Sequence, residues 1–417
     1  MRIPFRKAGR AIRRAVAPSL LTAAVTTALL SAAGAGLSPT TAEAAEATPT
    51  VPFVLVNNSK LKQKLYVYIV GMEGSKWVYV KNAKGKTKAF TEQTSPKPFG
   101  FAVTNKKTKL TLPQLQAMRI YFSFKKKLRL TVSAANVPGV PAGWSSGDPN
   151  YNTLFDWTEF TWVPDSDTRS TLGGNATQVD MFGFATKITL KGLDGDYKTP
   201  VTKTSGFKNK RSRKQIVNRI WNAGNPWRKL VVGKKNNPKR VIAPYHGMIS
   251  GVFPKTQLNG YINKVWSKYQ SGGMTASPQN VDYHGRVTGG KLVFTQNTDP
   301  GTSFSFPKPT SQAAYEGAIL PDPMPGNALV EQQARAIGAL LQGAFMRTTL
   351  MRDGDLDSCK TSDFYKAQPV NMYAKAIHLP AIRGEAYAFG FDDTCSQSSY
   401  IGVHNPKKLK IEILPVK

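Results

Sequence analysis

Asn152-Thr-Leu-Phe-Asp-Trp-Thr-Glu-Phe-Thr-Trp162 is a run of aromatic, hydroxyl and carboxyl side chains with no helix-forming period. Read as a strand, it places Phe155, Trp157, Glu159 and Thr161 on one face and Asp156, Thr158, Phe160 and Trp162 on the other. Upstream, Val51-Pro-Phe-Val-Leu-Val, Leu65-Tyr-Val-Tyr-Ile-Val, Lys76-Trp-Val-Tyr-Val and Arg119-Ile-Tyr-Phe-Ser-Phe repeat the β-branched and aromatic signature between Asn, Gly, Lys and Pro turns. Lys126–Ser133 adds a clean alternation with one wet face. The first half of the chain therefore reads as a β-layer. With 35 Gly and 28 Pro in 417 residues, a helical bundle is disfavoured.

The same stretch carries the first candidate for chemistry. A Glu flanked by Trp and Thr on a strand face suits a sugar site, where the carboxyl moves a proton while an aromatic face, here Trp157, stacks on a pyranose. Asn175-Ala-Thr-Gln-Val-Asp-Met-Phe182 supplies a second carboxylate, Asp180, on a second strand-like segment. Glycoside hydrolysis needs such a pair, one protonated to release the leaving oxygen and one ionised to activate water or attack. Acids are scarce, 25 against 57 Lys and Arg, so eight of them within residues 148–196 stand out. Turns account for Asp148, Asp194 and Asp196, and Asp165 and Asp167 follow Pro164 in an expected loop. Asn175-Ala-Thr also spells a glycosylation sequon. The four histidines are scattered without metal-like spacing. Phosphate-loop, dinucleotide and Gly-x-Ser-x-Gly motifs are absent, so no cofactor and no metal are expected.

Beyond about Gly206 the pattern turns mixed α/β. Helices are expected at Ser212–Trp221, with Ser212 as cap, at Thr256–Tyr269 and at Asn327–Met346. Strands are expected at Lys229–Gly233, Arg240–Pro244 and Arg286–Thr295, and the tail from about Asn371 reads as strand-like again. This gives a β domain of residues 45–206 and 346–417 with a mixed α/β domain of 207–345 inserted into it.

The N-terminus reads as an export leader. Arg2, Arg6, Lys7, Arg10, Arg13 and Arg14 precede an apolar stretch, Ala15–Leu37, and Ala42-Glu43-Ala44 offers a cleavage site before Ala45. Residues 1–44 are thus a signal peptide, the mature protein is secreted, extracellular or wall-associated, and no stable membrane insertion is expected after cleavage. The net charge of +32 favours contact with polyanions, and the basic run Lys208–Lys214 is one candidate for holding an anionic cell-wall polymer. No nucleic-acid motif accompanies the charge, so nucleic acid is not an expected partner. Cys359 and Cys395 are the only cysteines and are expected to pair in an oxidising compartment. A monomer is expected.

Asp148–Thr161 together with Asn175–Phe182 resembles the signature of glycoside hydrolase family 64, the laminaripentaose-producing type of β-1,3-glucanase. The resemblance extends in order through Arg119-Ile-Tyr-Phe-Ser, Ala243-Pro-Tyr-His-Gly, Arg347-Thr-Thr-Leu, Asn371-Met-Tyr-Ala and Gly384–Asp393. The last segment is also similar to the Tyr-Asp-Asp stretch of thaumatin-like proteins. The resemblance implies a mainly β fold with an α+β part: a thaumatin-like β-barrel or sandwich and a mixed α/β domain flanking a wide groove for a glucan chain. It implies endo-acting, inverting cleavage of β-1,3-glucan to short laminari-oligosaccharides, with Glu159 as general acid and Asp180 as general base. Thr161, Trp157, Asp156 and Asp393 are then expected to contact substrate. The loop between the two acids, Trp162–Gly174, departs from the family pattern in length, with Gly173 and Gly174 where a Trp and an aliphatic residue are usual. A non-catalytic glucan- or wall-binding protein of the same fold is the alternative.

Overall fold

Twelve strands form one nearly closed, barrel-like sheet in a computed structural model that describes residues 48–416. The expected signal peptide and its cleavage site lie outside the described residues. Along the sheet the order is Pro200–Gly206, Thr186–Leu193, Ile401–Ile413, Arg169–Asn175, Leu154–Ser166, Gln116–Phe124, Leu65–Glu73, Lys76–Val80 and Thr87–Ala89. Thr50–Asn57, Phe101–Val103 and Lys107–Pro113 pair off that path. The last strand does the closing. Its first half pairs antiparallel with Arg169–Asn175, and its second half lies between Thr186–Leu193 and Thr50–Asn57, the latter parallel to it.

Period-two alternation decides which side chains go inside. Phe53 and Leu55, Ile120 and Phe122, Phe160 and Trp162, and Leu409 and Ile411 all enter one buried barrel core. The opposite face of the central strands carries a second, aromatic layer: Tyr68, Tyr121, Phe155 and Trp157, joined by Phe90 and Met181. The two-faced reading of residues 152–162 therefore holds. One face fills the barrel, and the other builds the floor of what lies outside it.

Trp162–Gly174 is not a loop. Leu154–Ser166 and Arg169–Asn175 form a hairpin, so Asp165 lies within a strand, while Asp167 turns with residue 168. Trp162 and Leu172, opposite each other, both point into the barrel core, and that burial draws the segment into the sheet.

The mixed part contains helices Ser212–Asn222, Asn259–Ser271 and Ala328–Arg347 and a four-stranded sheet running from Met274–Ala276 to Ser303–Phe306. Two expectations are corrected. Ser212 is not a cap, because Arg211 occupies that position while the Ser212 hydroxyl donates to the carbonyl of Asn209. The tail from Asn371 begins as a helix, Met372–His378, whose N-cap Asn371 accepts from the amide of Ala374. Residues 346–389 contribute Met346, Leu350, Tyr373, Ile377 and Phe389 to the core of the helical part. At the junction with the barrel, buried Arg213 donates to the carbonyls of Gly183, Pro238 and Val416.

Candidate active site

Glu159 stands on the outer face of Leu154–Ser166, directly opposite Arg119 on one neighbouring strand and Asn175 on the other. Two donors converge on its Oε1, the Arg119 Nε–H at 3.0 Å and the Trp157 indole N–H at 3.2 Å. Oε2 makes no hydrogen bond among the described residues, and the side chain is 29% exposed. For Arg119, burial favours loss of the proton, but Tyr121 and Glu159 outweigh it and hold the guanidinium charged.

Asp180 is not borne by a strand. It lies in a bend just before the two-residue strand Met181–Phe182, and its carbonyl accepts from the amide of Ala243. That bond fixes the start of a short helix, Pro244–Ile249, which Pro244 opens at a position where no amide is required. The helix presents His246, whose Nε2 lies 2.7 Å from Asp180 Oδ1. An ionised carboxylate only accepts, so Nε2 carries the proton. The imidazole is 8% exposed and stacks on Trp144 at 4.2 Å. Asp180 itself is 35% exposed and open to a ligand.

The two carboxylates share a neighbourhood. Burial raises the pKa of the Tyr121 phenol, Arg119 opposes that rise, and the negative charges of Glu159 and Asp180 add to it. Tyr121 packs on Trp157, and Trp157 in turn lies 6.5 Å from Trp144. An aromatic bed thus runs from the Arg119–Glu159 pair to the Asp180–His246 pair.

The remaining expected contacts divide. Thr161 is two residues beyond Glu159 on the same face, and its hydroxyl accepts from the amide of Ala117. Asp393 is exposed and neighbours Tyr387, which also feels the charge of Glu159. The carbonyl of Tyr387 accepts from Gln178, tying this segment to the one that carries Asp180.

Trp157 and Asp156 are corrected. Trp157 is 2% exposed, packed among Tyr121, Trp144 and Phe155, so its ring cannot stack on a sugar and it acts through its N–H on Glu159. Asp156 points to the other face and is buried, accepting from the amides of Trp157, Gly183 and Phe184. Burial pushes its carboxyl up to about 7 against those donors and Arg240. Gly183 is required here, since a Cβ would lie 2.2 Å from the carbonyl of Phe155. Asn175 is likewise buried, which closes the sequon to modification in the folded chain.

Three contributors escaped the sequence reading: Arg119, Trp144 and His246. His246 lacks metal-like spacing, yet it lies in Ala243-Pro-Tyr-His-Gly, a segment that carries the family resemblance. Cys359 and Cys395 are bonded, with Cα atoms 5.2 Å apart. Among the described residues no cluster of three or more His, Cys, Asp or Glu is arranged to hold a metal ion.

Residues 49–413 match the sequence family described as beta-1,3-glucanase. Glucan endo-1,3-beta-glucosidases of Cellulosimicrobium cellulans and of Arthrobacter sp. (strain YCWD3) are each 27% identical over 318 residues, 73% of this chain and 53% of theirs. The chain thus spans about half the length of the curated relatives it matches. A laminaripentaose-producing beta-1,3-glucanase solved with laminaritetraose superposes with a TM-score of 0.76 at 26% identity, over 88% of this chain and 99% of that one. A beta-1,3-glucanase domain from Clostridium beijerinckii shares the fold, with a TM-score of 0.68 at 24% identity over 87% and 98% of the two chains.

Proposed function

The chain belongs to glycoside hydrolase family 64, the β-1,3-glucanases, and from that membership we propose that it cleaves β-1,3-glucan internally by an inverting acid/base mechanism. The observation that carries this reading is the pair of part-exposed carboxylates at the two ends of the aromatic row Tyr121, Trp157 and Trp144, Glu159 held by Arg119 and Trp157 and Asp180 by His246. Asp180, oriented by His246, takes a proton from water as the water attacks the anomeric carbon. The glycosidic C–O bond breaks, and Glu159 gives its proton, carried on Oε2, to the departing oxygen. Arg119 and Trp157 hold Oε1 and so aim Oε2. Thr161 and Asp393 are assigned to binding the glucan.

The test is release of reducing sugar from laminarin, with Glu159→Gln and Asp180→Asn as controls of unchanged fold. Loss of about 10²–10⁴-fold is expected from each. Proton NMR of the first-formed product should show the inverted anomer. Full activity of Glu159→Gln would end the assignment, and binding without release would favour the non-catalytic alternative.

The barrel is read as thaumatin-like. The two-domain division, 45–206 with 346–417 and an inserted 207–345, draws support from the final strand rejoining the barrel. The core membership of 346–389 favours a later return, near residue 398. Secretion through residues 1–44 is supported by the bonded cysteines, which suit an oxidising compartment. No helix among the described residues is long and apolar enough to cross a membrane. A monomer is proposed, to be checked by light scattering.

The basic surface is proposed to retain the enzyme on an anionic wall polymer. Arg213, within the run 208–214, is buried and committed to three carbonyls, so that run offers less free charge than its sequence suggests. The barrel's outer face supports the idea better. In one cross-strand row Lys109, Val54, Lys410 and Thr189 are neighbours, and in the next Lys408 stands directly opposite Lys191. Lys410 is paired with Glu412 at 2.9 Å, but Lys408 and Lys191 face each other as like charges that repel, and a bound polyanion relieves that repulsion.

A further inference from the structure

We infer that Tyr400 is a sugar-stacking platform of the glucan site, seated on a floor made by Gly173 and Gly402; this rests on the glucanase reading above. Among the described residues Tyr400 is the one aromatic side chain that is markedly exposed, at 46%. Its ring lies across two glycines that are direct cross-strand partners. A Cβ on Gly173 would lie 1.9 Å from the Tyr400 Oη, and one on Gly402 would lie 3.2 Å from the same atom. Neither glycine has a positive φ, so backbone conformation does not demand glycine at either position. The ring does.

The place of this platform follows from register. Gly173 is opposite Thr161, and Asn175, two residues along, is opposite Glu159. Paired residues share a face, so the phenol lies on the same surface as Thr161 and Glu159, displaced roughly 7 Å along the strand from the Glu159 row. The phenol end of the ring lies over the bare backbone of the two glycines, and nearly half of the side chain is exposed. A flat aromatic surface beside a carboxylate pair suits the apolar C–H face of a pyranose in a chain crossing the site. Trp157, which the sequence suggested for this task, is buried.

A purely structural role is the competing explanation, since an aromatic ring laid over paired glycines also shields exposed sheet backbone. Binding separates the two. With Glu159→Gln as parent to prevent turnover, laminarihexaose is titrated by calorimetry into the full chain. Tyr400→Ala should bind about 3- to 10-fold more weakly, the share of one stacked ring, while Tyr400→Phe keeps parental affinity. Gly173→Ala should displace the ring and weaken binding equally, yet add nothing to Tyr400→Ala. The inference is overturned if Tyr400→Ala binds as the parent does, if Tyr400→Phe loses as much as Tyr400→Ala, or if only the melting temperature moves. A parent that keeps Tyr400 yet binds no laminarihexaose overturns the glucan reading as well.

Discussion

Nε2 of His246 meets Oδ1 of Asp180 at 2.7 Å, and the imidazole that makes this contact is stacked on Trp144. Asp180, the proposed base, thus takes its orientation from a histidine in a different part of the chain. His246→Ala should lower kcat of laminarin hydrolysis by about 10- to 100-fold while leaving KM nearly unchanged, because it misplaces the base without removing it. Steady-state kinetics on laminarin checks this. A rise in KM at constant kcat would make His246 a binding residue instead.

Trp157 serves Glu159 through a single hydrogen. Trp157→Phe keeps most of the buried ring and deletes that donor, so the rate should fall about 3- to 10-fold, the typical net worth of one hydrogen bond. The melting temperature should drop modestly from the lost volume. Activity equal to wild type would show that Arg119 alone suffices to hold Glu159.

Asp392 is fully buried between Arg347, whose Nη2 is 2.9 Å from Oδ1, and His378, whose Nε2 is 2.8 Å from Oδ2. Removing one partner strands a buried charge, so Arg347→Met should cost about 3–5 kcal/mol in urea unfolding. A change below 1 kcal/mol would mean that water replaces the guanidinium.

His378 gives the fold a pH dependence. Burial favours its neutral form, but Asp392 and the carbonyl of Gly384 override that and raise its pKa above the usual value. Both of these partners are acceptors, so both ring nitrogens donate and the imidazole is protonated. With the folded pKa above an unfolded value of about 6.5, this contribution is full below that pH and is lost as pH rises through the folded pKa. The urea midpoint of wild type should therefore fall more steeply as pH rises above about 6.5 than that of His378→Gln. Parallel curves would assign the proton elsewhere.

The disulfide closes a loop across a sequence separation of 36. Cys359→Ser with Cys395→Ser should lose about 4 kcal/mol through greater freedom of the unfolded chain. Urea unfolding of the double variant under non-reducing conditions checks this.

Lys107, Lys109, Lys191, Lys408 and Lys410 stand on neighbouring barrel strands. Changing all five to Gln should abolish retention on an anionic polymer column at low salt while sparing laminarin hydrolysis, since the substrate is neutral. Wild-type retention should fall steeply as salt shortens the screening length. Retention that survives the substitutions would return attention to residues 208–214.

Alternation in residues 152–162 determined by itself that a strand is present and that Glu159 and Asp156 face opposite ways. It did so because side-chain direction in a strand is a local property with a period of two. Composition and turn residues likewise gave a β-rich chain, and helical spacing gave Ala328–Arg347 to within a residue. What local pattern could not decide was which face was wet. Trp157 reads as a sugar platform until Trp144 and Tyr121 bury it, and Asp156 reads as accessible until the amides of Gly183 and Phe184 close on it. Trp162–Gly174 reads as a loop until Leu172 and the closing strand draw it into the sheet. His246, 66 residues from Asp180, reaches it only when the amide of Ala243 bonds the Asp180 carbonyl, and Tyr400 reaches Gly173 only when the last strand pairs with Arg169–Asn175. Direction along a strand is fixed by neighbouring bonds, whereas exposure and contact are set by the segments that pack from elsewhere in the chain.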